Sequence, residues 1–230
     1  MSDIFDCRDE AQLLAGLRHA RRSIARGELV VLPTDTVYGV AADAFSPAAV
    51  ASLLAAKGRG RQSPPPVLVS GAPMLAALVS EVPEPIEQLI DELWPGGLTI
   101  VLPSQPSLAW DLGETHGTVA VRMPDNRVTL DLIQDAGPLA VSSANLTGRP
   151  AATSVLEAER MLRSSVKVYL DDGPSSTGVA STIIDATALA RREKDARVRV
   201  LRAGAVSIER LRELLGDSLE PDASESGTAA

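Results

Sequence analysis

Three stretches rich in hydroxyl and amide side chains stand next to predicted β-strands. "PTDTVYG" carries Thr36 directly after one apolar run, "SSANLTGRPAAT" carries Ser143 and Asn145 after another, and "GVASTIIDAT" carries Ser181. Such groups are common in ordinary turns and helix caps. If the three turns converge in space, their donors and an exposed helix N-terminus form a binding site for a carboxylate or a phosphate.

Positive charge is concentrated in the stretch "AKGRGRQSPPP". Lys57, Arg59 and Arg61 lie within five residues, and the glycines between them let the backbone bend and bring the side chains toward one point. Several cations suit a polyphosphate, and an arginine fork adds two-point geometry. The stretch lacks the Gly-Lys-Ser/Thr ending of a phosphate-binding P-loop, and a solvated basic turn is the alternative interpretation.

A further arginine lies in the stretch "GTVAVRMP". Because successive side chains of a strand point to opposite faces, Thr118, Ala120 and Arg122 share one face of a predicted strand. Arg122 then either points to solvent at a sheet edge or pairs with an anion in a cleft. The strand pattern alone leaves both interpretations open.

Helical and strand periodicities alternate along the chain, which predicts an α/β domain with helices packed on a sheet. The predicted helices cover 9–26, 47–57, 84–93, 126–136, 154–163 and 207–215, and the predicted strands cover 29–32, 98–103, 118–122, 138–142, 167–170, 180–185 and 198–202. Thr153 or Ser154 is the predicted N-cap of one helix. Thr36 follows a strand, where an α/β sheet usually binds its ligand.

Length and composition are those of an ordinary globular protein. The chain has 230 residues, of which 45% are hydrophobic and 23% are charged, enough to bury a core as one domain. We expect a single domain over residues 1–215. Residues 216–230 are polar, acidic and without periodicity, so we expect them to form a disordered acidic tail.

Charge and cysteine content exclude several classes of protein. The formal net charge of -8 argues against a general nucleic-acid binder, because such proteins concentrate Lys and Arg. One cysteine and two histidines cannot form the clusters of a structural zinc site, and we predict no metal-ligating residues. Without a basic, apolar leader or a run of about 18 apolar residues, we expect a cytoplasmic protein that does not interact with membranes.

Seven motifs together resemble one enzyme family. "PTDTVYG", "KGR", "WPGGLT", "VAVRMP", "SSANLTGRP", "STIID" and "LRAG" occur in the order and spacing of the threonylcarbamoyl-AMP synthase family, the YrdC-like domain. The resemblance implies a twisted mixed sheet with helices around a positively charged concave cavity. It also implies a nucleotidyltransferase that converts L-threonine, bicarbonate and ATP into threonylcarbamoyl-adenylate and pyrophosphate, for the t6A modification of tRNA.

The resemblance also implies roles for individual residues, carried over from the matching motif positions. The implied L-threonine ligands are Thr36, Arg122, Ser143 and Ser181, with Arg122 as a two-point clamp on the carboxylate. The implied ATP ligands are Lys57, Arg59, Thr118, Asn145, Thr153 and Arg202. No catalytic acid–base pair is evident, so we expect Lys57 and Arg59 to act by positioning and charge, together with Mg²⁺ that accompanies ATP.

The chain departs from the family pattern at three places. Gly60 stands where relatives usually have proline after Lys-x-Arg, Ser142 replaces another frequent proline, and Leu68 or Val69 stands where some relatives place a histidine. These changes concern the loop shapes and the recognition of the far side of threonine.

Two rival interpretations come from other functional classes. One is a nonenzymatic RNA-binding module of the same fold, against which the acidic charge argues. The other is the carbamoyl-transfer domain of hydrogenase-maturation proteins, whose zinc-finger and acylphosphatase segments this chain lacks. The expected partners are therefore the small-molecule substrates and the downstream tRNA threonylcarbamoyl-transfer machinery, with no stable binding of nucleic acid.

Overall fold

One mixed β-sheet runs through the computed structural model, which describes residues 2–221. The strands are β1 (Asp3–Asp6), β2 (Val30–Leu32), β3 (Gly39–Asp43), β4 (Val67–Leu68), β5 (Leu98–Pro103), β6 (Thr118–Arg122), β7 (Leu139–Ser143), β8 (Val168–Asp171), β9 (Thr182–Asp185) and β10 (Arg199–Arg202). The helices are α1 (Glu10–Ala25), α2 (Pro47–Lys57), α3 (Ala72–Leu78), α4 (Glu84–Leu93), α5 (Arg127–Ala136), α6 (Val155–Leu162), α7 (Thr187–Ala190) and α8 (Ile208–Leu215).

The strand order is β1-β8-β2-β3-β7-β4-β6-β5-β9-β10. The pairs β1/β8, β2/β8, β4/β6 and β5/β9 are parallel, and the other pairs are antiparallel. The predicted α/β architecture with a mixed sheet is confirmed. The helix and strand ends that the periodicity predicts agree with the structure within a few residues.

The sequence patterns miss the strand that matters most for the site. β3, "GVAAD", consists of small residues without the β-branched alternation typical of a strand. It pairs antiparallel with β2 through Val30↔Ala41, Val31↔Val40 and Leu32↔Gly39. The "PTDTVY" stretch is therefore the loop of a β-hairpin, which returns the chain directly to the sheet.

Strand β2 is buried on both faces. Val30 and Leu32 pack with Ile24 of α1 and with α5, whereas Val31 packs on the opposite face with Leu53 of α2 and with α6. This two-sided burial explains why "VVL" is a continuous apolar run rather than an alternating one.

The strands β5, β6 and β9 are covered by helices on one face only. Leu98, Ile100 and Leu102 pack in the core formed with α4 and α8. Thr99 and Val101, which point the other way, line an open cavity. The uncovered face of these strands is the floor of that cavity.

Serine side chains cap the N-termini of α2 and α6. Ser46 Oγ accepts a hydrogen bond from the Ala49 N–H at the start of α2, and the helix ends at Gly58 with a φ of 66°. Lys57 is therefore the last residue of α2, as the sequence predicts. Ser154 caps α6 by accepting from the N–H of Glu157.

The domain extends past the boundary predicted from the sequence. Gly216–Ser218 form a 3-10 turn, and Leu219, 5% exposed, pairs with Val198 in a parallel bridge. The predicted tail therefore does not begin at Gly216, because Leu219 contributes an apolar side chain to the core. The remainder of the predicted tail, 222–230, lies outside the described residues. Among the described residues, no helix combines the length and apolar character that a membrane crossing requires.

Tyr38 joins the β2–β3 hairpin to the loop after β8. Its ring is fully buried, and its hydroxyl lies 2.5 Å from the Gly173 carbonyl oxygen while accepting a hydrogen bond from the Asp172 N–H at 3.1 Å. The same hydroxyl lies 3.3 Å from an Asp171 carboxylate oxygen. Tyr38 thus packs in the core and also ties two loops together.

Replacing Tyr38 by Phe should lower the free energy of unfolding by about 1–2 kcal/mol, because it leaves the Asp172 N–H and the Gly173 carbonyl without their partner. Urea denaturation measures this change. Ser52→Ala, which removes an exposed hydroxyl bonded within α2, is the control and should stay within about 0.5 kcal/mol of wild type. Equal stability of the two variants would show that the Tyr38 hydroxyl does not tie the loops together.

Candidate functional site

The cavity has a volume of about 500 Å³ and lies on the uncovered face of β5, β6 and β9. The hairpin loop after β2, the end of β7 and the start of β9 surround it. The predicted site residues that line it are Thr36, Arg59, Thr118, Arg122, Ser143, Ser181 and Arg202. Lys57, Asn145 and Thr153 are not among the lining residues. The three hydroxyl-rich turns therefore converge, as the sequence analysis requires of a binding site.

Arg122 is the most constrained cation in the cavity wall. It is 6% exposed, and its guanidinium donates from Nε to the Gly96 carbonyl, from Nη1 to Thr36 Oγ1 and from Nη2 to Asp35 Oδ1, at 2.8, 2.8 and 2.6 Å. A guanidinium has five N–H groups. Three of these N–H groups make the bonds to Gly96, Thr36 and Asp35, and the side chain also lines the cavity.

Asp35 is the partner that sequence reasoning misses. Its carboxylate forms a buried ion pair with Arg122 and accepts from the Asp125 N–H at 2.9 Å. Its backbone carbonyl accepts hydrogen bonds from the hydroxyls of Ser176 and Thr177. Burial lowers the pKa of Arg122, and the charge of Asp35 acts in the opposite direction. The signal in the sequence is an acidic residue between two threonines in a hairpin loop.

The hydroxyls of the hairpin loop bond to each other. Thr34 Oγ1 donates to the Val37 carbonyl at 2.6 Å and lies 3.0 Å from Thr36 Oγ1. Thr34 also accepts from the backbone N–H groups of Thr36 and Val37. Thr34 thereby fixes the loop, and Thr36 faces Arg122.

Lys57 lies beneath the cavity wall instead of in it. It is 1% exposed, and its Nζ donates to the Ser143 carbonyl, to the Asn145 carbonyl at 2.8 Å and to Asn145 Oδ1 at 3.0 Å. The Ser143 hydroxyl donates in turn to Asn145 Oδ1 at 2.6 Å. In this arrangement Lys57 and Asn145 hold the segment that presents Ser143 to the cavity.

The prediction that three cations of the "KGRGR" stretch converge is wrong. Arg59 lines the cavity, whereas the Arg61 guanidinium pairs with Asp111 and the Lys57 ammonium is buried. The left-handed turn at Gly58 redirects the chain immediately after α2. The side chains on its two sides therefore point in different directions.

Arg59 and Arg202 bring two more positive charges to the cavity. Arg59 donates to Thr147 Oγ1 at 3.3 Å and to Ser142 Oγ at 3.2 Å. Arg202 donates to the Ser181 carbonyl at 3.0 and 2.7 Å and to Ser181 Oγ at 3.0 Å. All these partners are uncharged, so none of them offsets the charge of either guanidinium.

Ser181, Thr118 and Thr153 occupy different environments. Ser181 Oγ lies 2.8 Å from Thr99 Oγ1 in the buried floor. Thr118 donates its hydroxyl to the Thr115 carbonyl at 2.7 Å. Thr153 bonds through its N–H and hydroxyl to the Glu157 carboxylate at 2.8 and 3.1 Å, at the start of α6. Thr153 thus faces a helix N-terminus outside the cavity lining.

The cations repel one another. Burial is the main cause that lowers the pKa of Lys57, Arg122 and Arg202, but Arg59 also lowers the pKa of Lys57 and of Arg202, and Arg202 lowers that of Arg122. An anion placed among them would relieve this repulsion. The arrangement suits a carboxylate near Arg122 and a phosphate chain near Arg59 and Arg202.

The residues of the site do not fit a dedicated metal centre. Over residues 2–221, no group of three or more His, Cys, Asp or Glu side chains is placed to hold a metal ion. Glu114 and Asp185 line the cavity, and Asp185 is already bonded to Thr187 and Arg199.

The burial of Lys57 predicts a pH dependence of stability. Burial and then the charge of Arg59 lower the pKa of Lys57 from 10.5 to about 7, while the oxygens around Nζ favour the ammonium. The pKa of Lys57 is thus about 7 in the folded protein and 10.5 in the unfolded chain. Between pH 7 and pH 10.5 the unfolded chain therefore binds more protons than the folded one, so the contribution of Lys57 to the free energy of unfolding rises with pH. Urea denaturation of wild type and Lys57→Met at pH 7 to 10 should therefore give a difference that grows in favour of wild type. Parallel pH curves would contradict the lowered pKa.

Comparison with known proteins places the chain in a family. The model of the Sua5/YciO/YrdC family, described as "Telomere recombination", matches residues 22–204. A Mycobacterium leprae protein provisionally named threonylcarbamoyl-AMP synthase is 49% identical over 216 residues, which are 94% of this chain and 95% of that protein. The threonylcarbamoyl-AMP synthase of Pyrococcus abyssi is 34% identical over 87% of this chain and 57% of that protein.

Solved structures share the fold of this chain. The crystal structure of P. abyssi Sua5 complexed with L-threonine has a TM-score of 0.84 at 31% identity, and the match covers 100% of this chain and 65% of that chain. Escherichia coli YciO, at 20% identity and a TM-score of 0.76, matches over 95% of this chain and 100% of that chain and shows the shared fold. Since the family model spans most of the chain and the relatives match over most of its length, the chain belongs to the Sua5/YciO/YrdC family.

Proposed function

We propose that this protein is an L-threonylcarbamoyl-AMP synthase, an enzyme that transfers the adenylyl group of ATP to the carbamate of L-threonine. The observation that carries the proposal is the juxtaposition, in one cavity, of Arg122 with two arginines whose bonded partners are uncharged, Arg59 and Arg202. A relative in the same family has been crystallised with L-threonine. The names of the relatives support the reaction class.

The proposed reaction has two stages. The amine of threonine and bicarbonate form a carbamate and release water. A carbamate oxygen then attacks the α-phosphorus of ATP, the bond from that phosphorus to the oxygen bridging to the β-phosphate breaks, and pyrophosphate leaves with the bonding electrons. Because a carbamate decomposes readily in water, the reaction needs a recessed site such as this cavity.

L-Threonine is proposed to bind at the Arg122 end of the cavity. The N–H groups of Arg122 that are not hydrogen-bonded to Gly96, Thr36 and Asp35 would bind the carboxylate. The hydroxyls of Thr36, Ser143 and Ser181, which also line the cavity, would contact the rest of the amino acid.

ATP is proposed to bind with its phosphates toward Arg59 and Arg202. Lys57 and Asn145 would contribute by holding the 143–145 segment, because both are bonded beneath the cavity wall. Thr118 lines the cavity and remains a proposed nucleotide contact, whereas a contact from Thr153 would require Thr153 to exchange its bonds to Glu157. Mg²⁺ would enter with ATP on its phosphate oxygens and offset their charge, since the described residues offer no cluster for it.

The product would serve the t6A modification of tRNA. A transfer machinery that moves the threonylcarbamoyl group to tRNA is the proposed downstream partner, and the cytoplasm is the proposed location. The formal net charge of -8 favours this small-molecule role over the alternative of an RNA-binding module.

The proposed activity requires all three substrates. With ATP and bicarbonate present, pyrophosphate release should depend on added L-threonine, and mass spectrometry should detect threonylcarbamoyl-AMP. Threonine-independent release of pyrophosphate would contradict the proposal. A protein that turns over no substrate but binds RNA with an affinity that falls as salt is added would also contradict the proposal.

Arg59→Ala should lower the rate of pyrophosphate release by about 100-fold, because a preorganised cation that offsets phosphate charge is lost. Steady-state kinetics at saturating threonine measures the effect. The matched control is Arg210→Ala, which removes a half-exposed arginine that pairs with Glu92 and Glu213 outside the cavity lining and should leave the rate unchanged. An Arg59→Ala protein as fast as this control would remove Arg59 from the site.

A further inference from the structure

The segment between α2 and β4, residues 58–66, separates two cavities, and we call it the strap. Arg59, Pro64 and Pro66 of the strap line the main cavity. Arg59 and Arg61 line a second cavity of about 210 Å³ against α2. A shift of the strap would therefore move Arg59 relative to the main cavity.

Arg61 fastens the strap to the loop between β5 and β6. Its Nη1 and Nη2 donate to the two carboxylate oxygens of Asp111, both at 2.9 Å. We call this pair the clasp. The side chains are 60% and 38% exposed, so the clasp contributes little to global stability. Its bidentate geometry, however, fixes the orientation of both partners.

The backbones meet at the same point. The Glu114 N–H donates to the Arg61 carbonyl at 2.8 Å, and the Gly113 N–H donates to Asp111 Oδ1 at 3.1 Å. A Cβ on Gly113 would lie 2.5 Å from the Arg61 carbonyl oxygen, and the φ of Gly113 is 108°. Only glycine allows this close approach, so the strap and the loop are held by side-chain and main-chain bonds together.

The loop that the clasp holds is itself part of the cavity wall. Glu114, Thr115 and His116 follow the clasp and line the main cavity. The Thr115 carbonyl accepts hydrogen bonds from the N–H and the hydroxyl of Thr118 at the start of β6. The clasp thus joins two walls of the cavity, one carrying Arg59 and the other leading to Thr118.

We propose that Arg61 and Asp111 are positioning residues, whose clasp holds Arg59 and the 114–116 segment at the distance that the phosphates and nucleoside of ATP require. This inference rests on the proposed function. The bonds that orient Arg122 come from Gly96, Thr36 and Asp35, which belong to other segments. Loss of the clasp should therefore impair the use of ATP and spare that of threonine.

The test is a double-mutant cycle. Arg61→Ala and Asp111→Ala should each raise the KM for ATP by about fivefold, with the KM for threonine unchanged. The double variant should be no worse than Asp111→Ala alone, because Asp111→Ala already removes the bonds from Arg61 together with the bond from the Gly113 N–H. The charge-swapped variant, Arg61→Asp with Asp111→Arg, should recover part of the loss. A residue with only a structural role would change both KM values and the melting temperature instead.

The control pair is Arg192 and Glu81, an exposed ion pair of similar length at 2.8 Å, whose alanine variants should keep the wild-type KM for ATP. Binding of a nonhydrolysable ATP analogue, measured by calorimetry, gives a second readout that does not require turnover. If the wild-type enzyme is active, an unchanged KM for ATP in both single variants, or fully additive effects in the double variant, would overturn the proposed role of the clasp. The proposed function would then still stand. A wild-type protein without threonine-dependent pyrophosphate release and without affinity for the analogue would overturn the proposed function and the clasp with it.

Discussion

The burial of the Arg122 guanidinium is the constraint on which the site depends. A charge that is 6% exposed requires compensating partners. Those partners come from two separate segments: Asp35 and Thr36 from the β2–β3 hairpin loop, and the Gly96 carbonyl from the turn before β5. The hydrogen bonds to the Arg122 guanidinium on β6 therefore hold the hairpin loop and this turn at the same end of the sheet. The position of these two segments determines the shape of the cavity.

The remaining cations create the affinity for anions. Arg59 and Arg202 are held by hydroxyl and carbonyl oxygens. Such partners orient the side chains without neutralising them. The repulsion among these groups persists until a ligand with negative charge enters the cavity. The architecture thus combines one arginine paired with a carboxylate, Arg122, with two arginines, Arg59 and Arg202, that have no counter-charge within hydrogen-bonding distance in the described residues.

The hydrophobic periodicity of the sequence predicts most of the helices and strands but only part of the site. The two-residue alternation places Thr118 and Arg122 on one strand face, and both line the cavity. Strand β3 escapes prediction because its glycine and alanines have low β-propensity, and its place in the sheet comes from pairing with β2 and β7. The sequence pattern also does not predict where the side chains of Lys57 and Arg61 point. After a left-handed glycine, side-chain direction depends on partners that lie far along the chain, such as Asn145 and Asp111.

The most direct test of this account is the affinity for L-threonine of an Arg122→Lys protein, measured by calorimetry. Lysine keeps the positive charge but cannot bond to Gly96, Thr36 and Asp35 while also offering a fork to a carboxylate. We expect threonine binding to weaken by more than about tenfold and the affinity for a nonhydrolysable ATP analogue to stay at the wild-type value. Wild-type affinity for threonine in this variant would contradict the claim that the oriented guanidinium forms the amino-acid site.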